Sequence, residues 1–177
     1  AADSHVHLFV ADVVKSFDTV DRGILDCVLS SLGLPGWFRH AYFEYHAHVR
    51  LRFKLASGLG EPWTRDGGIP QGCPLSMMFI VALYLPWCMY ISSLGDVQPQ
   101  LYADNLKCLS RSPELLLRAA RFTTEYVRLV GQEPAPSKCV LLSTSKDVRR
   151  DMKDWVLSQE GDRWSVRFDV RDLGGHL

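Results

Sequence analysis

Between Gln98 and Ser110 two apolar segments flank Asp104-Asn105, a residue pair that tolerates positive φ, so the chain is predicted to fold back on itself as a β-hairpin. Its tip, Tyr102-Ala103-Asp104-Asn105, lifts an acidic side chain out of an apolar strand pair. A second isolated acid ends another strand. In Val6-His7-Leu8-Phe9-Val10-Ala11-Asp12 the residues Val6, Leu8, Val10 and Asp12 share one face, which predicts a carboxylate at the rim of a core. Isolated charges are costly there unless a cation or a cationic side chain stands beside them. Two such acids make a metal site the first functional expectation.

At 177 residues, with 47% hydrophobic and 23% charged side chains, the chain is expected to form one globular domain, 1–177, with a substantial core. Twenty basic residues balance twenty acidic ones, so no long-range field draws it to nucleic acid or to an anionic membrane, and any polyanion must be held locally. The one concentrated basic face lies in Val49–Leu55, where strict alternation predicts a strand with Arg50, Arg52 and Lys54 on one side. Phosphate contact and a solvated edge strand are equally good readings of that face. Cys27, Cys73, Cys88, Cys108 and Cys139 are odd in number and form no C-x-x-C pair, against both a disulfide framework and a structural zinc site. An intracellular, reducing setting is expected, with nucleus and cytoplasm not distinguished. The apolar run Met77–Ile91 is shorter than the roughly 20 residues a bilayer needs and contains Pro86, so it is predicted to be a buried helix with no membrane role. No signal peptide is visible, and both ends are expected to be cut from a longer polypeptide.

Local signals predict the remaining elements. Asp21 caps a helix that Gly33 ends, and Pro35-Gly36 opens an aromatic helix to about Tyr45. Gly58-Leu59-Gly60 turns into a further strand. The loop from Gly67 to Ser76 feeds the apolar helix, with Pro74 in its first turn. Ser112 caps a helix running to Gly131; Cys139–Leu142 is a strand, Val148–Val156 a helix, and Trp164–Val170 a last strand. This order predicts an α+β layer, an antiparallel sheet backed by helices on one face, leaving the other face free.

Three segments resemble motifs A, B and C of a reverse transcriptase palm: Phe9-Val10-Ala11-Asp12-Val13-Val14-Lys15-Ser16-Phe17-Asp18, Gly68-Ile69-Pro70-Gln71-Gly72-Cys73-Pro74-Leu75-Ser76, and Leu101-Tyr102-Ala103-Asp104-Asn105. The style is that of non-LTR retrotransposons and group II intron enzymes. Gly131–Lys138 is similar to motif D, and Asp172–Leu177 to the start of motif E. The resemblance implies a ferredoxin-like polymerase palm and an RNA-directed DNA polymerase, a nucleotidyltransferase of retroelement origin. Its partners would be an RNA template, a nucleic-acid primer and deoxynucleoside triphosphates. It assigns two Mg2+ ions, with Mn2+ as an alternative, to Asp12, Asp104 and the backbone carbonyl of Val13. Such ions activate the primer 3′-hydroxyl and neutralise the leaving pyrophosphate. It further assigns a steric gate against a 2′-hydroxyl to Phe17, nucleotide contacts to Gln71 and Gly72, and proton donation to pyrophosphate to Lys138. Asp18 is expected to cap or brace the turn rather than bind metal, a choice the resemblance does not settle.

The chain departs from the pattern at Asn105, where the family carries a second catalytic aspartate. A merely supporting second acid would leave a slow enzyme; a required one would leave an inactive palm, kept as a fold relic or a nucleic-acid-binding module. An RNA-dependent RNA polymerase is disfavoured by Phe17. The family's basic fingers and its thumb are expected to lie outside this segment, which alone is expected to have weak or no polymerase activity.

Overall fold

The computed structural model describes residues 5–158 and 164–168, and the backbone of 171–172 and 175–176. In chain order the elements are β1 (His7–Ala11), α1 (Ser16–Thr19), α2 (Arg22–Ser31), α3 (Gly36–His48), β2 (Lys54–Leu55), β3 (Gly58–Leu59), α4 (Pro74–Ser93), β4 (Val97–Tyr102), β5 (Asn105–Ser110), α5 (Pro113–Leu129), β6 (Val140–Ser143), α6 (Lys146–Ser158), β7 (Ser165–Arg167), β8 (Arg171–Asp172) and β9 (Gly175–His176). Local chemistry sets several of these boundaries. The Asp21 carboxylate accepts from Ile24 N at 2.9 Å to open α2, Ser112 Oγ accepts from Leu115 N at 3.3 Å to open α5, and Gly33 and Gly131 turn the chain at φ +83° and +77°.

The five-stranded sheet has the order β4-β5-β1-β6-β7. The units β1, α4, β4, β5, α5 and β6 form a β-α-β-β-α-β ferredoxin-like arrangement. The architecture is the α+β palm layer expected, with one amendment. The strand β7 runs parallel to β6 because α6 carries the chain back as a crossover, so the sheet is mixed. It is also shorter than the Trp164–Val170 strand expected, and Asp169 and Val170 lie outside the described residues. Of the motif E segment, Asp172 pairs with Gly175 in the β8–β9 ladder, while Leu173, Gly174 and Leu177 lie outside the described residues.

Helices α4 and α5 cover one sheet face. Phe9, Ala11, Leu106, Cys108 and Leu141 meet Phe79, Leu83, Trp87, Leu116 and Val127, all fully buried. Polar atoms drawn into this layer are paired: Trp87 Nε1 donates to Thr123 Oγ1 at 2.9 Å and Tyr126 Oη to the Leu83 carbonyl at 2.6 Å. The opposite face carries a smaller apolar cluster of Leu8, Val10, Val140 and Leu142. By alternation Asp12 belongs to this second face, with Leu8 and Val10, so the core whose rim it occupies is the smaller one. The strand β1 is buried on both faces, and residue parity alone does not say which face meets the helices.

Two further expectations change. The strand predicted over Val49–Leu55 reduces to β2, paired only with β3, plus a single bridge between Leu51 and Trp63. The apolar members Phe53 and Leu55 are 67% and 61% exposed, so alternation had no core to turn toward. The apolar helix is buried on one face only. Trp87, Tyr84 and Phe79 point inward while Met78, Val81, Leu85 and Met89 stay exposed, so α4, long and apolar enough to cross a membrane, lies instead against the sheet.

Candidate functional site

The ladder between β1 and β5 places Ala11 opposite Leu106. Asp12, one residue further, and the two-residue turn Ala103-Asp104 therefore lie at the same end of adjacent central strands. The turn residues are Ala103 and Asp104 rather than Asp104 and Asn105, because Tyr102 and Asn105 close the hairpin as its last pair. Ala103 has φ +53° at the first turn position, the geometry of a type II′ turn, where glycine is the relaxed choice. Asn105 opens β5 on the same sheet face as Asp12.

Past β1 the chain pairs with the segment before β6. Val14 N donates to the Glu133 carbonyl at 2.9 Å and Ala135 N to the Asp12 carbonyl at 2.8 Å. The intervening Val13 lies opposite Pro134 without bonding it, so its carbonyl turns to the other side, toward β5 and the hairpin. The same pairing brings in Lys138, whose Nζ lies 3.1 Å from both Asp12 carboxylate oxygens. The Asp12 side chain is 21% exposed and that of Lys138 65%. The cationic neighbour expected beside an isolated strand acid is thus supplied from within the chain.

Phe17 follows in α1, and its carbonyl accepts from Ile69 N at 2.8 Å. Gly68 N donates to the Val20 carbonyl at 3.0 Å, so main-chain hydrogen bonds tie the α1 region to the loop before α4. Between them and the hairpin opens a cleft of about 540 Å3 lined by Phe17, Gln71, Gly72, Ser76, Met77 and Asp104, among others. Gly72, at φ +88° with open space around it, offers bare backbone to that cleft. A second cleft of about 640 Å3 lies on the far side of Gln71, lined by Asp18, Arg22, His46, Leu51 and Arg65, among others.

Asp18 braces its turn, as expected, through Arg65 Nη2 at 3.0 Å. The side chain of Arg22 donates to the carbonyls of Gly68 at 2.9 Å and Gly67 at 3.3 Å. On the other side of α1, buried Gln132 donates to the Ser16 carbonyl at 2.6 Å and to Thr19 Oγ1 at 3.2 Å, and accepts from Tyr84 Oη. Arg22, Arg65, Tyr84 and Gln132 were given no role by sequence reasoning; each acts on a partner distant in sequence, mostly a carbonyl, which leaves no local pattern to find.

Charge and burial shape this region. Burial pushes the Tyr84 phenol far above its ordinary range, and the negative Asp104 adds to the rise. Burial lowers the His46 imidazole, with Arg22 and Arg65 acting in the same direction. Arg50, Arg52 and Lys54 are exposed and line neither cleft, although Leu51 lines the larger one.

Among the described residues no three His, Cys, Asp or Glu side chains cluster as a metal-binding group. Magnesium nevertheless suits a site of one or two carboxylates completed by water and substrate phosphates. The oxygen-only set of Asp12, Asp104 and the Val13 carbonyl fits that chemistry.

No protein-family model matches the chain, and no curated protein matches it. Solved structures do. Telomerase from Candida tropicalis, in complex with a TWJ fragment of telomeric RNA, superposes with a TM-score of 0.65 at 13% identity over 81% of this chain and 26% of its own. A C-terminally truncated apo form from the same organism gives 0.64 at 13% identity over 78% of this chain and 31% of its own. Telomerase from Candida albicans gives 0.62 at 13% identity, covering 77% and 27%. At 13% identity this likeness shows the fold alone, a polymerase palm-like layer shared with the telomerase structures, and the chain spans less than a third of the length of these neighbours.

Proposed function

We propose that this chain is the palm of an RNA-directed DNA polymerase of the non-LTR retroelement or group II intron type, joining deoxynucleotides to a primer 3′-hydroxyl on an RNA template. The observation that carries this reading is the single cleft shared by Phe17, Gln71, Gly72 and Asp104, three segments distant in sequence converging on one space. Asp12, Asp104 and the Val13 carbonyl would hold two Mg2+ ions. Bound there, the ions supply activation of the 3′-hydroxyl and neutralisation of the departing pyrophosphate. Phe17 sets the floor of the sugar pocket, where an aromatic ring excludes a 2′-hydroxyl. The Gln71 amide and the open backbone of Gly72 contact the nucleotide. Lys138 holds Asp12 in the ligand-free state and delivers a proton toward pyrophosphate once it exchanges that partner. The reaction belongs to a reducing intracellular compartment, with the fingers and thumb supplied by the rest of the polypeptide.

A second reading, an inactive palm, is favoured by Asn105 and by the ion pair that already satisfies Asp12. Primer extension separates the two. The full-length polypeptide carrying this chain, given an RNA template, a primer, Mg2+ and deoxynucleotides, should extend, and Asp12→Asn or Asp104→Asn should lower the rate about a hundredfold or more. Asn105→Asp should raise it. Product formed equally by both acid variants would remove the metal assignment, and no product from the parent or from Asn105→Asp would leave the inactive palm.

A further inference from the structure

The three consecutive carbonyls of Gly67, Gly68 and Ile69 all accept from arginines: Arg22 serves the first two at 3.3 and 2.9 Å, and Arg65 Nη1 reaches the third at 3.4 Å. The same Arg65 binds Asp18, the residue after Phe17, at 3.0 Å. Gly68 packs so closely on the Phe17–Asp18 backbone that an added Cβ would lie 2.7 Å from the Phe17 carbonyl oxygen. Only Pro70, whose φ is fixed by its ring, separates Ile69 from Gln71. Phe17 and Gln71 line the same cleft, and each is one or two residues from an arginine-held group.

We infer that Asp18, Arg22 and Arg65 form a brace that fixes the spacing between Phe17 and the Gln71-Gly72 loop, making both arginines positioning residues for the choice between deoxyribose and ribose. This rests on the polymerase reading above. The brace acts through geometry: a ring rejects one hydroxyl only if the loop opposite keeps the sugar against it. The Asp18 and Arg65 side chains are 39% and 27% exposed. A pair so open to water adds little to global stability, which separates a positioning role from a folding role.

The test uses the full-length polypeptide and two readouts. Amide hydrogen exchange at Gly68 and Ile69 should quicken about tenfold in Arg65→Met and in Asp18→Asn, with the urea midpoint nearly unchanged. In primer extension, Arg65→Met should lower the preference for deoxynucleotides over ribonucleotides about tenfold, through a lower KM for ribonucleotides rather than a general fall in kcat. Arg65→Lys, which keeps the charge on Asp18, should recover part of it. If Arg65 acts through Phe17, adding Arg65→Met to Phe17→Val should change the preference no further. Unchanged exchange at Ile69, or additive effects in the double variant, would overturn the brace. A polypeptide that extends no primer would overturn the polymerase reading and the sugar preference with it, while exchange would still decide whether the arginines hold the loop.

Discussion

Around Phe17 the main chain is bonded on two sides. The loop before α4 donates to Phe17 and Val20, Gln132 donates to Ser16, and Arg65 holds Asp18. At the other wall of the same cleft, Asp104 draws no hydrogen bond or ion pair from the described residues, and it follows Ala103, a non-glycine residue at φ +53°. On the proposed polymerase reading, the contrast is between a wall that must keep its shape and a wall that must present a charge. Shape recognition needs backbone fixed to a fraction of an ångström, which cooperative main-chain bonding supplies. On that same reading, Asp104 would meet a cation and gain nothing from partners that compete for its oxygens, which would allow a strained, sparsely bonded turn there.

Two glycines give this contrast its largest expected effect. Gly68 at φ +71° would place a Cβ 2.6 Å from the Asp18 carbonyl oxygen, and neither backbone can retreat without breaking the junction. Gly68→Ala should cost about 4 kcal/mol in urea unfolding, combining left-handed strain with overpacking. Gly72 at φ +88° has nothing within 4 Å of the same position, so Gly72→Ala should cost only about 1 kcal/mol. Equal costs would mean that the junction is no tighter than the open cleft.

The other side of α1 is next. Removing the amide in Gln132→Ala strips the Ser16 carbonyl of a buried donor and the Tyr84 hydroxyl of its acceptor. Unsatisfied groups of that kind cost about 2 kcal/mol together, again measured by urea midpoint. A loss below experimental error would show that water replaces Gln132 and that this wall is less closed than its bonding suggests.

The two walls also differ in how far the sequence revealed them. Caps at Asp21 and Ser112, the proline opening α4 and the glycine stop at Gly131 were legible, because each depends on groups within one helical turn. The hairpin was legible too, but its turn was displaced by one residue; the pair Asp104-Asn105 carries the usual turn composition, whereas the positive φ falls on Ala103. The alternating Val49–Leu55 segment misled because alternation implies a strand only when a neighbour and a core exist, and here the partner is two residues long. The Lys138–Asp12 pair joins residues 126 apart, and the Arg22 and Arg65 contacts end mainly on carbonyls. Side-chain patterning does not record which carbonyls a fold leaves facing inward.

At the hairpin wall the effect should have the opposite sign. Glycine at position 103 relieves a left-handed alanine but loosens the unfolded chain, so Ala103→Gly should gain roughly 0.5–1 kcal/mol. In primer extension the same variant should not exceed the parent, since a glycine before Asp104 leaves that side chain less firmly placed. A stability loss would mean that the turn is relaxed as it stands.

The smallest effect tests the fixed wall by titration. His46 is 8% exposed beside Tyr42, and burial first, then Arg22 and Arg65, hold its imidazole below the ordinary value of 6.5. The unfolded chain therefore binds this proton more readily than the folded one. Stability should be fully present above about pH 6.5 and decline as pH falls through the depressed folded value, before the carboxylates titrate. His7, also lowered by burial, contributes in the same window. Urea midpoints at pH 7, 6 and 5 should fall progressively in the parent and less steeply in His46→Gln, with the remaining slope removed when His7→Asn is added. If Arg65→Met also flattens the slope, the arginine's charge reaches His46 across the larger cleft, and the brace and the histidine belong to one electrostatic unit; a slope insensitive to Arg65 leaves the depression to burial and Arg22.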